Sequence, residues 1–176
     1  MPTCEAYCTQ IQADCTGANL QFTDHAACLR SCAVYPTDPA DLGNTLACRN
    51  RFLNNAGAPQ DIRCDLGGPA TPQPTYYCED PCQHLCDLHE AACANDRVWT
   101  DRAACVAACA QIPHGGTTVD TSGDSVSCRV YHLNVAATDA LNATAHCAHA
   151  AVPSAVCTGP IPGGGSSGGS SSGPTP

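Results

Sequence analysis

Lysine is absent from this chain of 176 residues, and its seven basic residues, all arginine, face sixteen acids for a net charge of -9. That balance excludes a nucleic-acid partner, whose phosphates need clustered cations. Apolar bulk is scarce too: Leu, Ile, Val and Phe together number 25. A chain so charged and so poor in apolar residues buries too little surface to offset its conformational entropy, unless something else constrains it. No apolar run approaches the ~20 residues of a membrane-spanning helix, and no secretory leader is recognisable. Catalytic signatures are missing as well. There is no Gly-x-Ser-x-Gly elbow, and glutamate occurs only at Glu5, Glu79 and Glu90. Covalent haem attachment needs Cys-x-x-Cys-His, which the chain lacks.

What the chain has is cysteine, sixteen in all, in two consecutive sets of eight. The first is Cys4, Cys8, Cys15, Cys28, Cys32, Cys48, Cys64 and Cys78; the second is Cys82, Cys86, Cys93, Cys105, Cys109, Cys128, Cys147 and Cys157. Other residues repeat with them: Phe22-Thr23-Asp24-His25-Ala26-Ala27-Cys28 answers Trp99-Thr100-Asp101-Arg102-Ala103-Ala104-Cys105. Two tandem modules follow, over residues 1–78 and 79–157, with a Gly/Ser/Pro-rich flexible tail over 158–176. An even count in each set allows complete pairing. Disulfides form and persist in oxidising compartments, so the expected location is secreted or extracytoplasmic, with surface anchoring one use for the tail. Export requires a leader, so the sequence reads as a processed or trimmed form.

The spacing predicts a small, disulfide-rich, all-α fold. Cys4, Cys8 and Cys15 stand at i, i+4 and i+11, one face of a helix that Gly17 ends. Thr23 and Thr100 read as N-caps, with Asp24 and Asp101 in the first turn and Phe22 and Trp99 as staples. The second helix carries Cys28 and Cys32, or Cys105 and Cys109, until Pro36 or Pro113 stops it. Two antiparallel helices with facing Cys-x3-Cys pairs predict nested bridges: Cys4–Cys32 with Cys8–Cys28, and Cys82–Cys109 with Cys86–Cys105. A third helix is expected over Asn44–Asn54 and Asp124–Ala137, its cysteines giving Cys15–Cys48 and Cys93–Cys128. Cys64–Cys78 and Cys147–Cys157 would then close Pro/Gly-rich loops.

Cys128-Arg129-Val130-Tyr131-His132, followed by His146-Cys147-Ala148-His149-Ala150, resembles a recurring cysteine-rich module of predicted secreted lipoproteins and surface proteins of myxobacterial type. That module often stands in tandem behind a low-complexity Gly/Ser linker. The resemblance implies location and modularity, and no reaction. The first repeat departs from it, with Phe52, Arg63 and Leu66 where His132, His146 and His149 stand.

His132, His146 and His149 are the candidate metal ligands. His146 and His149 lie three apart, and bridges at Cys128 and Cys147 would bring His132 near them. Three neutral imidazoles suit zinc or copper, with haem iron a further possibility, and Asp139 could assist as a ligand or from behind one. His84 and His89 are expected to be solvated, and His25 and His114 to be isolated at the surface. Residue chemistry alone supports a stapled structural or binding module without catalysis, displayed on a surface or self-assembling into a fibre, with a surface protein as partner. The alternatives are a metalloprotein built on the three histidines, a Cu(I)-thiolate store using the Cys-x3-Cys pairs, and a protease inhibitor presenting Arg97.

Overall fold

The computed structural model describes residues 1–38, 43–69, 78, 80–115, 119–139 and 141–162. Among them the fold is all-helical and disulfide-rich, with α1 Cys4–Asp14, α2 His25–Ala33, α3 Leu46–Leu53 and α4 Gln60–Gly67, then α5 Pro81–Ala92, α6 Arg102–Cys109, α7 Val126–Ala136 and α8 Ala143–His149. A short 3-10 turn, Gly17–Asn19, follows α1. Gly17 enters it at a φ of +61°, a conformation that residues with a side chain rarely adopt. Each half thus contributes four of the described helices.

Six of the eight helix starts, all but those of α4 and α8, are fixed by a short polar side chain that accepts an orphan backbone N–H. Asp24 accepts from Ala27 N at 2.7 Å and Asp101 from Ala104 N at 2.8 Å. The caps therefore fall one residue after Thr23 and Thr100, because the extended backbone at each aspartate aims its carboxylate into the first turn. Thr45 and Ser125 cap α3 and α7 in the same way, both at 3.1 Å.

All sixteen cysteines are paired, and every bridge lies within its own half. The nested clamps are those the spacing predicts, Cys4–Cys32 with Cys8–Cys28 and Cys82–Cys109 with Cys86–Cys105. The other four differ. Cys15 bonds Cys64 rather than Cys48, and Cys93 bonds Cys147 rather than Cys128. Cys48 bonds Cys78 in place of Cys64–Cys78, and Cys128 bonds Cys157 in place of Cys147–Cys157. The cause is a fourth helix in each half where a loop was expected. Cys64 sits on α4 and Cys147 on α8, which pack on α3 and α7 and turn these sulfurs toward the end of the first helix. Cys48 and Cys128 are left to face the returning chain. With no thiol left, the structure does not support a Cu(I)-thiolate store.

Each half has its own small core. Tyr7, Ile11, Phe22, Leu46 and Leu53 pack with Cys8, Cys28 and Cys64; Leu85, Leu88, Val126, Val130 and Leu133 pack with Cys86, Cys105 and Cys147. A guanidinium is buried beside each core. Arg49 donates to the Gly68 carbonyl and to Asn44 Oδ1, while Arg129 donates to the Ser125 carbonyl and to Asp124 Oδ1, both at 2.9 Å. The halves meet where α2 lies on α5 and α7. Arg30 Nε donates to the Asn134 carbonyl at 3.0 Å and Ser31 Oγ to Asn134 Oδ1 at 3.2 Å, while Val34 packs on the second core.

Of the expected tail, the first residues lie along the second half: the Thr158 and Gly159 carbonyls accept from Gly123 N and Asp124 N at 3.1 and 3.0 Å. Gly123 (φ +90°) is needed there, since a Cβ would stand 2.7 Å from Pro162 Cδ. Residues 163–176 are outside the described residues.

Peptide mapping without reduction should return these eight pairs, with Cys15–Cys64 and Cys93–Cys147 as the diagnostic ones. Replacing both cysteines of Cys8–Cys28 by serine should cost about 2–5 kcal/mol, read as a lowered denaturation midpoint of the first half. Unchanged helicity after full reduction in metal-free buffer would show that the small cores suffice by themselves.

Candidate metal centre

His132 lies on α7, one turn after Cys128, so the Cys128–Cys157 bridge fixes the stretch of helix that bears it. His146 and His149 lie one turn apart at the end of α8, either side of Cys147, which is tied to Cys93 at the end of α5. Asp139 closes the turn between the two helices. Its carboxylate accepts from the Leu141 and Asn142 backbone N–H groups at 3.2 and 3.3 Å and from Asn142 Nδ2 at 2.7 Å. These bonds, the side-chain amide first, hold the carboxyl below its ordinary range. Asp139 is therefore a turn residue rather than a ligand, though its charge acts on His146. At the far end of α8, Ser154 Oγ donates to the His149 carbonyl at 2.6 Å.

The three expected histidines are brought together. His132 Nδ1 lies 2.9 Å from His146 Nδ1 and 3.3 Å from His149 Nδ1, and one ligand nitrogen from each ring falls within 4.8 Å of the others. His132 is buried at the base, with His146 and His149 half-buried above it. His132 Nε2 lies 3.3 Å from the Thr121 carbonyl, which can only accept, so that nitrogen carries the proton. The Nδ1 lone pair is thereby turned toward the other two rings. This is how backbone carbonyls orient metal-binding histidines.

Electrostatics keep the base of the cluster neutral. Burial above all, then the neighbouring His149, push the His132 imidazole down to about 4, against the Thr121 contact. Burial and His149 also lower His146, with Asp139 opposing. The spacing suits a small ion: bonds of about 2.0–2.1 Å at tetrahedral angles place nitrogens about 3.3–3.4 Å apart. Nitrogens this close are neighbours around one small ion, not the opposed axial pair that haem takes.

Two other groups bring a histidine to sulfur, Cys82 and Cys109 with His114, and Cys128 and Cys157 with His132. Their sulfurs are joined in disulfides and offer no thiolate. The remaining histidines depart from expectation. His84 and His89 are buried, not solvated. His89 Nε2 accepts from Val98 N at 3.3 Å, and its ring meets Trp99 edge-on. His25 pairs with Glu5 at 3.1 Å, and His114 sits 3.8 Å from Cys82 Sγ. In the first half, Arg63 donates to the Leu53 carbonyl at 3.2 Å, so that corner holds a hydrogen bond where the second half holds imidazoles.

Thr121 was not legible in sequence, because a backbone carbonyl carries no residue signature. Arg49 and Arg129 did leave a signal, the Cys-Arg pair that recurs in both repeats.

The chain matches no protein-family model, no curated protein and no solved structure.

His132 should titrate near pH 4 by NMR in the metal-free chain, and His149→Ala should raise its midpoint by removing the neighbouring charge. The sign for stability follows: the folded value lies below the ordinary 6.5, so unfolding takes up a proton. Stability should fall as pH drops from about 6.5 to about 4 and not respond to this group below that. A midpoint near 6.5 would contradict the buried placement.

Proposed function

We propose that this chain is an extracytoplasmic, disulfide-stapled module that binds one divalent transition-metal ion, zinc or copper, through Nδ1 of His132, His146 and His149. The observation that carries the reading is the convergence of three imidazoles whose central tautomer is set by the Thr121 carbonyl. Neutral imidazole is a good donor for both ions, and the half-exposed rings of His146 and His149 leave room for a further ligand from solvent. The oxidised framework supports a location outside the cytoplasm, and no helix among the described residues is long and apolar enough to cross a membrane. The resemblance to tandem modules of surface proteins agrees with display of the site on a stiff carrier. No reaction is assigned to the site.

Calorimetric titration of the full chain with Zn(II) or Cu(II) at pH 7.5 should give one equivalent. His146→Ala and His149→Ala should each weaken binding by at least the roughly 10–100-fold that losing a merely orienting group costs. Affinity should also drop below about pH 6, because ligation requires the neutral ring. Binding that survives the double variant His146→Ala/His149→Ala would defeat the assignment.

A further inference from the structure

His84 is a buried histidine that the metal centre does not use. It stands on α5 and plugs the junction between the halves, with no accessible surface. Its Nε2 lies 3.4 Å from Ser31 Oγ, whose own proton goes to Asn134 Oδ1, so Nε2 is the donor. Nδ1 is then an unprotonated nitrogen, and it is buried without a hydrogen-bond partner among the described residues. The Tyr35 ring covers the imidazole at 4.9 Å, and the Arg49 guanidinium lies over the other ring of that pair, 4.1 Å from the Tyr35 centroid. Among the described residues, the groups facing His84 are thus Ser31 from α2, the Tyr35 phenol just beyond the end of that helix, the Arg49 cation from α3, and the neutral Asn134 amide beyond Ser31 on α7.

The burial comes from the junction and not from the module. The equivalent position in the first half, 78 residues earlier by the Cys4-to-Cys82 offset, is Ala6, which is exposed. A proton on Nδ1 would find no acceptor among the described residues and would add a second cation beside Arg49. Separating α2 from α5 and α7 would return the ring to water. Nothing covalent in the described bridges opposes that movement, since each closes within one half.

We propose that His84 makes the contact between the halves an acid-opened latch: closed while the ring is neutral, released when the ring takes a proton, with both halves kept folded by their disulfides. Burial, and next the Arg49 charge, hold the His84 imidazole well below its ordinary value in the closed form. The open form takes up the proton, so the closed contact is at full strength above about pH 6.5 and weakens below it. One proton per opening, with an ordinary value near 6.5 when open, raises the opening constant roughly 25-fold between pH 7 and pH 5.

The test is hydrogen exchange of α2 in the metal-free full chain, corrected for intrinsic rates, in the wild type and in His84→Gln, which keeps a donor for Ser31 but cannot titrate. The wild type should gain about 25-fold in α2 opening from pH 7 to pH 5 relative to the variant. Equal responses would overturn the proposal. Should His84→Gln fail to fold, the His84 ring is followed by NMR in the wild type. Protonation coincident with loss of α2 protection supports the latch, and titration near pH 6.5 with protection unchanged overturns it. Neither readout involves metal, so failure here leaves the histidine centre standing.

Discussion

The nested disulfide clamp is the constraint on which the rest of this molecule depends. Two bridges join the first two helices of each half at successive turns, with Cα atoms 5.5–5.9 Å apart. Crosslinks act chiefly by restricting the unfolded chain, so they serve where apolar area is small. Here the sulfurs are also a large part of what is buried, standing among the leucines of both cores. The other two bridges of each half then decide where the third and fourth helices lie. In the second half that placement determines the position of every ring in the histidine cluster.

The clamps were legible because i, i+4 cysteine pairs on adjacent helices admit one simple nesting. The remaining pairs were not, because the segments around Cys64 and Cys147 look too short and too close to Pro and Gly to be helices. Helices of seven or eight residues are marginal by propensity and persist through packing. Ala143, Ala145 and Ala148 around Cys147 were nonetheless a signal for α8. The histidine triplet was legible by contrast with its replacements in the first repeat. Asp139, which the sequence offers as a ligand or as support for one, is instead held by its turn.

His84 and His89 show a different limit. His89 occupies the place of Ile11, which is buried in the first core, so the repeat itself carried the clue to its burial. His84 occupies the place of exposed Ala6, and no pattern within one module could reveal that the other module would cover it. Internal repeats report what each copy needs by itself; contacts between copies appear only as departures from the repeat. In this chain the departures are where function is to be sought: the three imidazoles on α7 and α8, and the single imidazole at the junction.

X-ray absorption at the zinc edge of the full chain, loaded with one equivalent at neutral pH, tests the central claim most directly. The account predicts a first shell of three nitrogens at about 2.0–2.1 Å with one light atom beside them, and no sulfur. A sulfur contribution at about 2.3 Å, or a shell of oxygens without imidazole scattering, would contradict a centre built on His132, His146 and His149.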